Sequence, residues 1–204
     1  MILLALETAC YAEASAALLK DGAVLEERKW PMGRQISSLL IPALKEMTAG
    51  AKPDLIAVDR GPGSFTGIRT GLAAAQGLAL GWNVRVLGVT SFDLYPRVSE
   101  SGEELLLLNA RAGGGYYYEL RRGKEREMGY AAEKELAEKF PSVEFYYGEC
   151  REGLLPKARF AEVRAPGGAA ELGRLATEKL AAGEALPPEA VYLHLRAVLP
   201  KSAT

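Results

Sequence analysis

The densest concentration of reactive and anion-binding side chains in this 204-residue chain is Asp59-Arg60-Gly61-Pro62-Gly63-Ser64-Phe65-Thr66-Gly67-Ile68-Arg69-Thr70-Gly71. It combines a carboxylate, two guanidinium groups, hydroxyls and closely spaced glycines. Placed between a strand and a helix, such a segment can aim backbone N–H groups at an anion. It fits none of the standard patterns for doing so. A phosphate loop GxxxxGK[ST] needs a lysine, and none occurs between Lys52 and Lys124. The dinucleotide fingerprint GxGxxG is missed because glycines 61, 63 and 67 follow GxGxxxG around Pro62. The nucleophile elbow GxSxG fails because Pro62 stands where a glycine is required. Two readings remain. One is a nucleotide-proximal loop made of Glu7, Thr8, Arg60, Gly61, Gly63, Ser64 and Thr66. The other is a tight strand-to-helix turn that needs backbone freedom, with Ser64 or Thr66 as N-cap.

Other chemistry is narrowly bounded. The single histidine, His194, excludes HExxH and any two-histidine metal site, and within Val191-Tyr192-Leu193-His194-Leu195 it reads as part of a strand. Cys10 and Cys150 are too far apart for a CxxC or zinc pattern, which points to a reducing compartment. Nothing near Cys10 marks it as reactive. No catalytic residue, metal site or cofactor is expected.

The elements that must carry these residues follow from periodicity. Ile2 to Leu6 is a short apolar strand, and Ala14 to Lys20 and Ala23 to Trp30 form a hairpin around Asp21-Gly22. Ile36, Leu39, Leu40, Ala43, Leu44 and Met47 recur at helical spacing within 35–48, with Pro42 expected to kink the helix. Leu55 to Asp59, Gly67 to Gly81 and Arg85 to Val89 read as strand, helix and strand. This βββαβα order fits the actin-like ATPase (ribonuclease H-like) α/β class. The second half repeats it weakly: a strand over 104–108, a hairpin around Gly123-Lys124, a helix over 131–140, a strand over 143–147 and a helix over 168–182. The expected division is 1–99 and 100–204, at Ser99-Glu100-Ser101-Gly102, with a segment after Pro187-Pro188 able to return to the sheet. Tyr116-Tyr117-Tyr118 alternates on its strand, which sends at least one ring inward and leaves base stacking as an alternative.

A net charge of -1, with 25 basic against 26 acidic side chains, provides no basic surplus for gripping nucleic acid unaided. No apolar run reaches the ~20 residues of a membrane helix, and Met1 to Leu6 followed by Glu7 is not read as a signal peptide; the cytoplasm is expected. The first hundred residues hold 20 charged side chains and the remainder 31, so the first half has more surface for a second domain or a partner to cover. Its helix 67–81 has Arg69 as its single charge. One strip is smooth (Gly67, Gly71, Ala74, Leu78, Gly81), another apolar (Ile68, Leu72, Ala75, Ala79). Such a helix either lies inside one core or is shared between the core and an oligomeric interface. The interface expected is Ile36, Leu39, Leu40, Ala43, Met47, Gly67, Thr70, Gly71, Ala74 and Leu78.

Glu7-Thr8-Ala9, Leu39-Leu40-Ile41-Pro42, Arg60 to Arg69 with Gly71, Ala75-Gln76-Gly77-Leu78-Ala79 and Gly88-Val89-Thr90-Ser91 resemble the bacterial TsaB (YeaZ) family. The likeness is strong over 2–95. Beyond that it rests on Asn109-Ala110-Arg111, Tyr117-Tyr118 and Val191-Tyr192-Leu193. The resemblance implies an actin-like fold of two related lobes. It also implies a non-catalytic part in forming N6-threonylcarbamoyladenosine at tRNA position 37. The implied partners are a TsaD-like transferase, which holds the metal, and a TsaE-like ATPase, with tRNA met only through the complex and a homodimer open in isolation. In that family the two first-lobe helices make the pairing surface. The chain departs from the family pattern in Glu7 for aspartate, in having no histidine over 31–42, and in Asn109 for aspartate. These departures weaken the alternative of a small actin-like ATPase or kinase.

Overall fold

The computed structural model describes residues 1–33, 35–99, 102–111, 114–163 and 167–193. His194, and Glu100 and Ser101 of the expected division, lie outside the described residues. The chain forms two compact units: Met1–Leu94 with Pro166–Val191, and Tyr95–Ala165 with Tyr192–Thr204.

The first unit is built on β1 (Ile2–Glu7), β2 (Glu13–Lys20), β3 (Ala23–Pro31), β4 (Leu55–Asp59) and β5 (Arg85–Val89), with helices α1 (Ile36–Met47) and α2 (Phe65–Trp82) between them. Sheet order is β3-β2-β1-β4-β5, antiparallel across the meander and parallel from β1 to β5. The hairpin turn takes positive φ at both Asp21 (50°) and Gly22 (82°), as a two-residue connection between twisted strands requires. A bulge between Leu18 and Leu19 leaves Leu25 without a cross-strand partner. Because side chains alternate along a strand, Leu4, Leu6, Ile56 and Val58 face α1 and α2, whereas Leu3, Ala5, Ala57 and Val89 face the opposite layer. α1 runs without interruption through Pro42, whose exposed ring leaves one carbonyl of the preceding turn unbonded.

The opposite layer is the main departure from the sequence reading. It is filled by α4 (Ala169–Ala181), whose Ala169, Leu172 and Ala176 are buried against Leu3, Ala5, Leu19 and Leu87. Residues 166–191 thus belong to the first unit and not, as expected, to a second lobe beginning at 100. The alternation of β1 and β2 requires it: their second apolar face has no cover from within residues 1–94. Gly173 permits close packing, since a Cβ there would meet Leu19 at 2.6 Å. Ser15 Oγ and Glu27 Oε1 accept from the N–H groups of Ala169 (2.8 Å) and Ala170 (3.0 Å) and cap the helix. The chain then returns to β5, as the Pro187-Pro188 signal suggested, with Gly88 N donating to Leu186 O and Val191 N to Arg60 O.

The second unit consists of β6 (Glu103–Asn109), β7 (Gly115–Arg122), β8 (Glu125–Ala132), a single-turn α3 (Leu136–Lys139), β9 (Phe145–Gly148) and β10 (Arg159–Phe160). Its order, β10-β9-β6-β7-β8, repeats that of the first unit strand for strand, with the same pattern of parallel and antiparallel pairs. The expected helix over 131–140 is shortened, because β8 stays paired with β7 through Ala132 and Pro141 closes the other end. Tyr116, Tyr117 and Tyr118 are all buried; Tyr118 packs edge-on to Phe140 at 4.9 Å and Tyr117 to Tyr130 at 6.2 Å. No ring of the three is left as a platform for a base.

Candidate functional site

The turn between β4 and α2 uses its polar groups on itself. Asp59, at the end of β4, accepts from Gly61 N (2.8 Å) and from Ser91 Oγ (2.8 and 2.9 Å). Ser91 N donates to Gly61 O, and Ser64 N donates to Ala9 O. Ser64 is the N-cap of α2, its Oγ accepting from Gly67 N at 3.2 Å, which satisfies one of the donors a helix start leaves open. Tyr11 donates its hydroxyl to Gly63 O. A Cβ at Gly63 would overlap Ala9 O, and Gly61 has φ +92°. The N–H groups of Gly61, Ser64 and Gly67 are therefore committed within the chain. Of the nucleotide-proximal residues expected from the sequence, Glu7, Thr8, Gly61 and Ser64 are buried, Arg60 and Gly63 are half-buried, and Thr66 alone is exposed. The arrangement is that of a clamped strand-to-helix turn.

Two carboxylates sit beneath the turn. Burial, reinforced by the nearby Asp59, pushes Glu7 up to about 8, even though Cys10 N donates to it at 2.9 Å. Asp59 rises to about 7, again through burial, against the opposing hydrogen bonds from Gly61 and Ser91. Burial thus favours the protonated form of both.

The helices divide the expected interface residues between core and surface. In α1, Ile36, Leu40, Ala43 and Met47 are buried, while Leu39 and the neighbouring Ile41 are 43% and 46% exposed. In α2, Gly67, Gly71 and Ala74 are buried, and Thr70 and Leu78 are half-buried. The smooth strip through Gly67 and Gly71 faces the chain's own Thr8. A Cβ at Gly67 would overlap Thr8 O, and one at Gly71 would overlap Thr8 Oγ1, which donates to Gly67 O at 2.9 Å. Those glycines let α2 approach the end of β1, so they cannot be notches for another subunit. The outward face is instead Phe65, Thr66, Arg69, Ala73, Gln76, Gly77, Leu80 and Gly81. At Gly77 and Gly81 an added Cβ would meet nothing within 4 Å. Phe65 and Leu80 are 47% and 86% exposed. On α1, which packs beside α2, Leu39 and Ile41 are the exposed large apolar side chains, one on each flank of the buried face, and the exposed residues of α2 include one charge, Arg69.

One feature of the second unit escaped sequence reasoning. Glu104, Glu119 and Arg121 point to the same face of its sheet and are buried. Arg121 pairs with Glu119 at 2.5 Å and donates to Tyr147 Oη at 2.9 Å and Tyr95 O at 3.2 Å. Arg126 also reaches Glu119, and Glu104 accepts from Val98 N and Ser99 N and lies 2.9 Å from Arg97 Nε. The alternation Glu119-Leu120-Arg121 is visible in the sequence, but nothing there separates it from a solvated face. Burial pushes the Cys150 thiol up to about 12, away from the thiolate form. Among the described residues no three His, Cys, Asp or Glu side chains converge in a way that could hold a metal ion, and no helix is long and apolar enough to cross a membrane.

Comparison with known proteins bears on this geometry. The model of the TsaD family, tRNA N6-adenosine threonylcarbamoyltransferase, matches residues 33–153, more than half of the chain. The chain belongs to that family. Its curated relatives narrow the placement to the TsaB (YeaZ) members. It is 33% identical over 131 residues to the tRNA threonylcarbamoyladenosine biosynthesis protein TsaB of Escherichia coli (strain K12), covering 60% of this chain and 56% of that one. Against TsaB of Haemophilus influenzae it is 30% identical over 62% of this chain and 56% of the relative. The chain thus spans little more than half the length of the curated relatives it matches. Among solved structures, YeaZ from Pseudomonas aeruginosa superposes with a TM-score of 0.67 at 25% identity, over 94% of this chain and 99% of the other. A second, an uncharacterized protein with similarity to peptidase YEAZ from Pseudomonas aeruginosa, gives 0.70 at 25% identity with the same coverage. TsaB (YeaZ) membership agrees with the family-like residues of β1, α1, the 60–67 turn and α2, and the repeated five-stranded order is that of the actin-like class.

Proposed function

We propose that this chain is a non-catalytic partner subunit of the bacterial assembly that forms N6-threonylcarbamoyladenosine at tRNA position 37. In this reading it binds a TsaD-like transferase through the outward face of α1 and α2. A TsaE-like ATPase joins the pair, and tRNA is met only through the complex, which places the work in the cytoplasm. The observation that carries the reading is the exposure of four large apolar side chains, Leu39 and Ile41 on α1 and Phe65 and Leu80 on α2, with open space around Gly77 and Gly81. Large apolar side chains left exposed on two adjacent helices, one of which has a single charge, are the mark of a surface that is covered in use. The residues that would have to do chemistry are otherwise occupied. The N–H groups of the glycine-rich turn bond within the chain, and Glu7 and Asp59 are enclosed.

The test is reconstitution. Purified transferase, ATPase and tRNA are assayed for threonylcarbamoyladenosine with and without this chain. The proposal expects product only when the chain is present, and no ATP turnover by the chain alone. Equal product without it, or steady turnover by the isolated chain that disappears in Glu7→Ala, would replace this reading with that of a small actin-like enzyme.

A further inference from the structure

Both helices carry exposed cations that form no ion pair among the described residues. Arg69 is the one charged side chain of α2; it is exposed, and its guanidinium lies 5.1 Å from the ring centroid of Phe65. No carboxylate among the described residues pairs with it. Lys45, exposed on α1, likewise has no ion pair among the described residues. Its neighbour Glu46 is taken by Arg28 of β3 at 2.6 Å. The face is therefore apolar with an uncompensated positive charge, and its most prominent cation is already stacked on an aromatic ring. Arginine and aromatic side chains are the types that dominate binding energy at interfaces. Stacking on Phe65 restricts the arginine before any partner arrives, and the planar guanidinium is shaped for a two-pronged contact with a carboxylate.

We propose that the partner covering this face presents an acidic side chain to Arg69, and that this charge pair selects the transferase over a second copy of the chain. The inference rests on the pairing surface proposed above and names the chemistry of its occupant. A second copy would bring an α2 without any carboxylate and an α1 whose Glu46 is already taken by Arg28. A different subunit is free to supply the carboxylate. Removing one member of a desolvated charge pair leaves the other buried and unpaired, which is the costly case.

The experiment measures binding of the full chain to the purified TsaD-type transferase of the same organism by calorimetry, at low and high salt. Tryptophan fluorescence of each variant checks folding, and substitution of an exposed residue leaves it unchanged. Arg69→Glu is expected to weaken binding at least ~30-fold. Arg69→Lys should recover part of that loss. A transferase carrying lysine in place of the facing carboxylate, found by scanning its docking surface, should restore binding to Arg69→Glu. The wild-type pair should weaken with salt, whereas self-association should not. Gly77→Glu, which blocks the face irrespective of Arg69, separates the two claims. If Gly77→Glu abolishes binding while Arg69→Glu binds within ~2-fold of wild type, the surface stands and the charge proposal falls. If neither variant weakens binding, both fall. Self-association tighter than transferase binding and unaltered by Arg69→Glu would also overturn the proposal.

Discussion

Replacing glycines of α2 by alanine, one at a time, separates its inward from its outward face. Away from contacts, glycine-to-alanine in a helix interior stabilises by about 1 kcal/mol, because glycine loses more backbone freedom on folding. At Gly77 a Cβ meets nothing within 4 Å, so that gain should appear in full. At Gly71 the same methyl group would overlap Thr8 Oγ1. Thr8 could rotate away only by giving up its 2.9 Å hydrogen bond to Gly67 O, leaving buried polar groups unpaired at about 1–3 kcal/mol. Overpacking adds roughly 1–3 kcal/mol, and the propensity gain offsets about 1. The net expectation is destabilisation by about 1–5 kcal/mol. Gly67→Ala should be worse, since its obstacle is the backbone carbonyl of Thr8, which cannot swing aside. Urea unfolding followed by tryptophan fluorescence reports on the correct unit, because Trp30 and Trp82 both lie in the first. With m of about 1–3 kcal/mol per molar, Gly77→Ala should raise the midpoint by a few tenths of a molar or more, and Gly71→Ala should lower it. Equal stability of Gly71→Ala and Gly77→Ala would refute the packing of α2 on Thr8, and with it the identity of the outward face.

Three further outcomes follow from the same structure. Glu7 and Asp59 keep protons in the folded state that the unfolded chain releases above its ordinary carboxylate range. The stability they contribute is thus complete below about pH 4 and is lost as pH rises through about 7 to 8; unfolding midpoints of the first unit should fall from pH 6 to 9, and Glu7→Gln should flatten that slope. Arg121→Met leaves the buried Glu119 with Arg126 alone and Glu104 with Arg97 and should cost the second unit about 1.5–3 kcal/mol for the lost charged hydrogen bonds, read from near-ultraviolet tyrosine dichroism, since that unit has no tryptophan. Ser64→Ala removes the N-cap of α2 and should destabilise the first unit by about 0.5–2 kcal/mol, measured by the same urea titration.

The first unit was largely legible because its signals are local. Asp21-Gly22 specifies a hairpin, the helical repeat of Ile36, Leu40, Leu44 and Met47 specifies a buried face, and Ser64 or Thr66 marks a helix start, of which the structure uses Ser64. Two things were not legible. The destination of α4 depends on which sheet lacks a cover, and its own periodicity serves either unit equally well. The orientation of α2 was hidden because small residues occur both where the helix is enclosed, at Gly67 and Gly71, and where it is open, at Gly77 and Gly81. Only the position of Thr8, brought in by β1, decides which pair is enclosed. That is why Gly71 looks like an interface residue in the sequence and is a packing residue in the fold, while Leu39 suits either description until its exposure is known. The Glu104, Glu119 and Arg121 network was hidden for the opposite reason, since charged residues alternating on a strand usually face water.

The claim on which the account depends is that the outward face of α1 and α2 is a binding surface. The most direct test is the dissociation constant of the purified chain with the TsaD-type transferase, measured for wild type and Gly77→Glu. Open space around Gly77 means the variant should fold as the wild type does, while an unpaired carboxylate forced into the contact should weaken binding by a hundredfold or roughly more. Binding of Gly77→Glu at the wild-type constant would contradict the account.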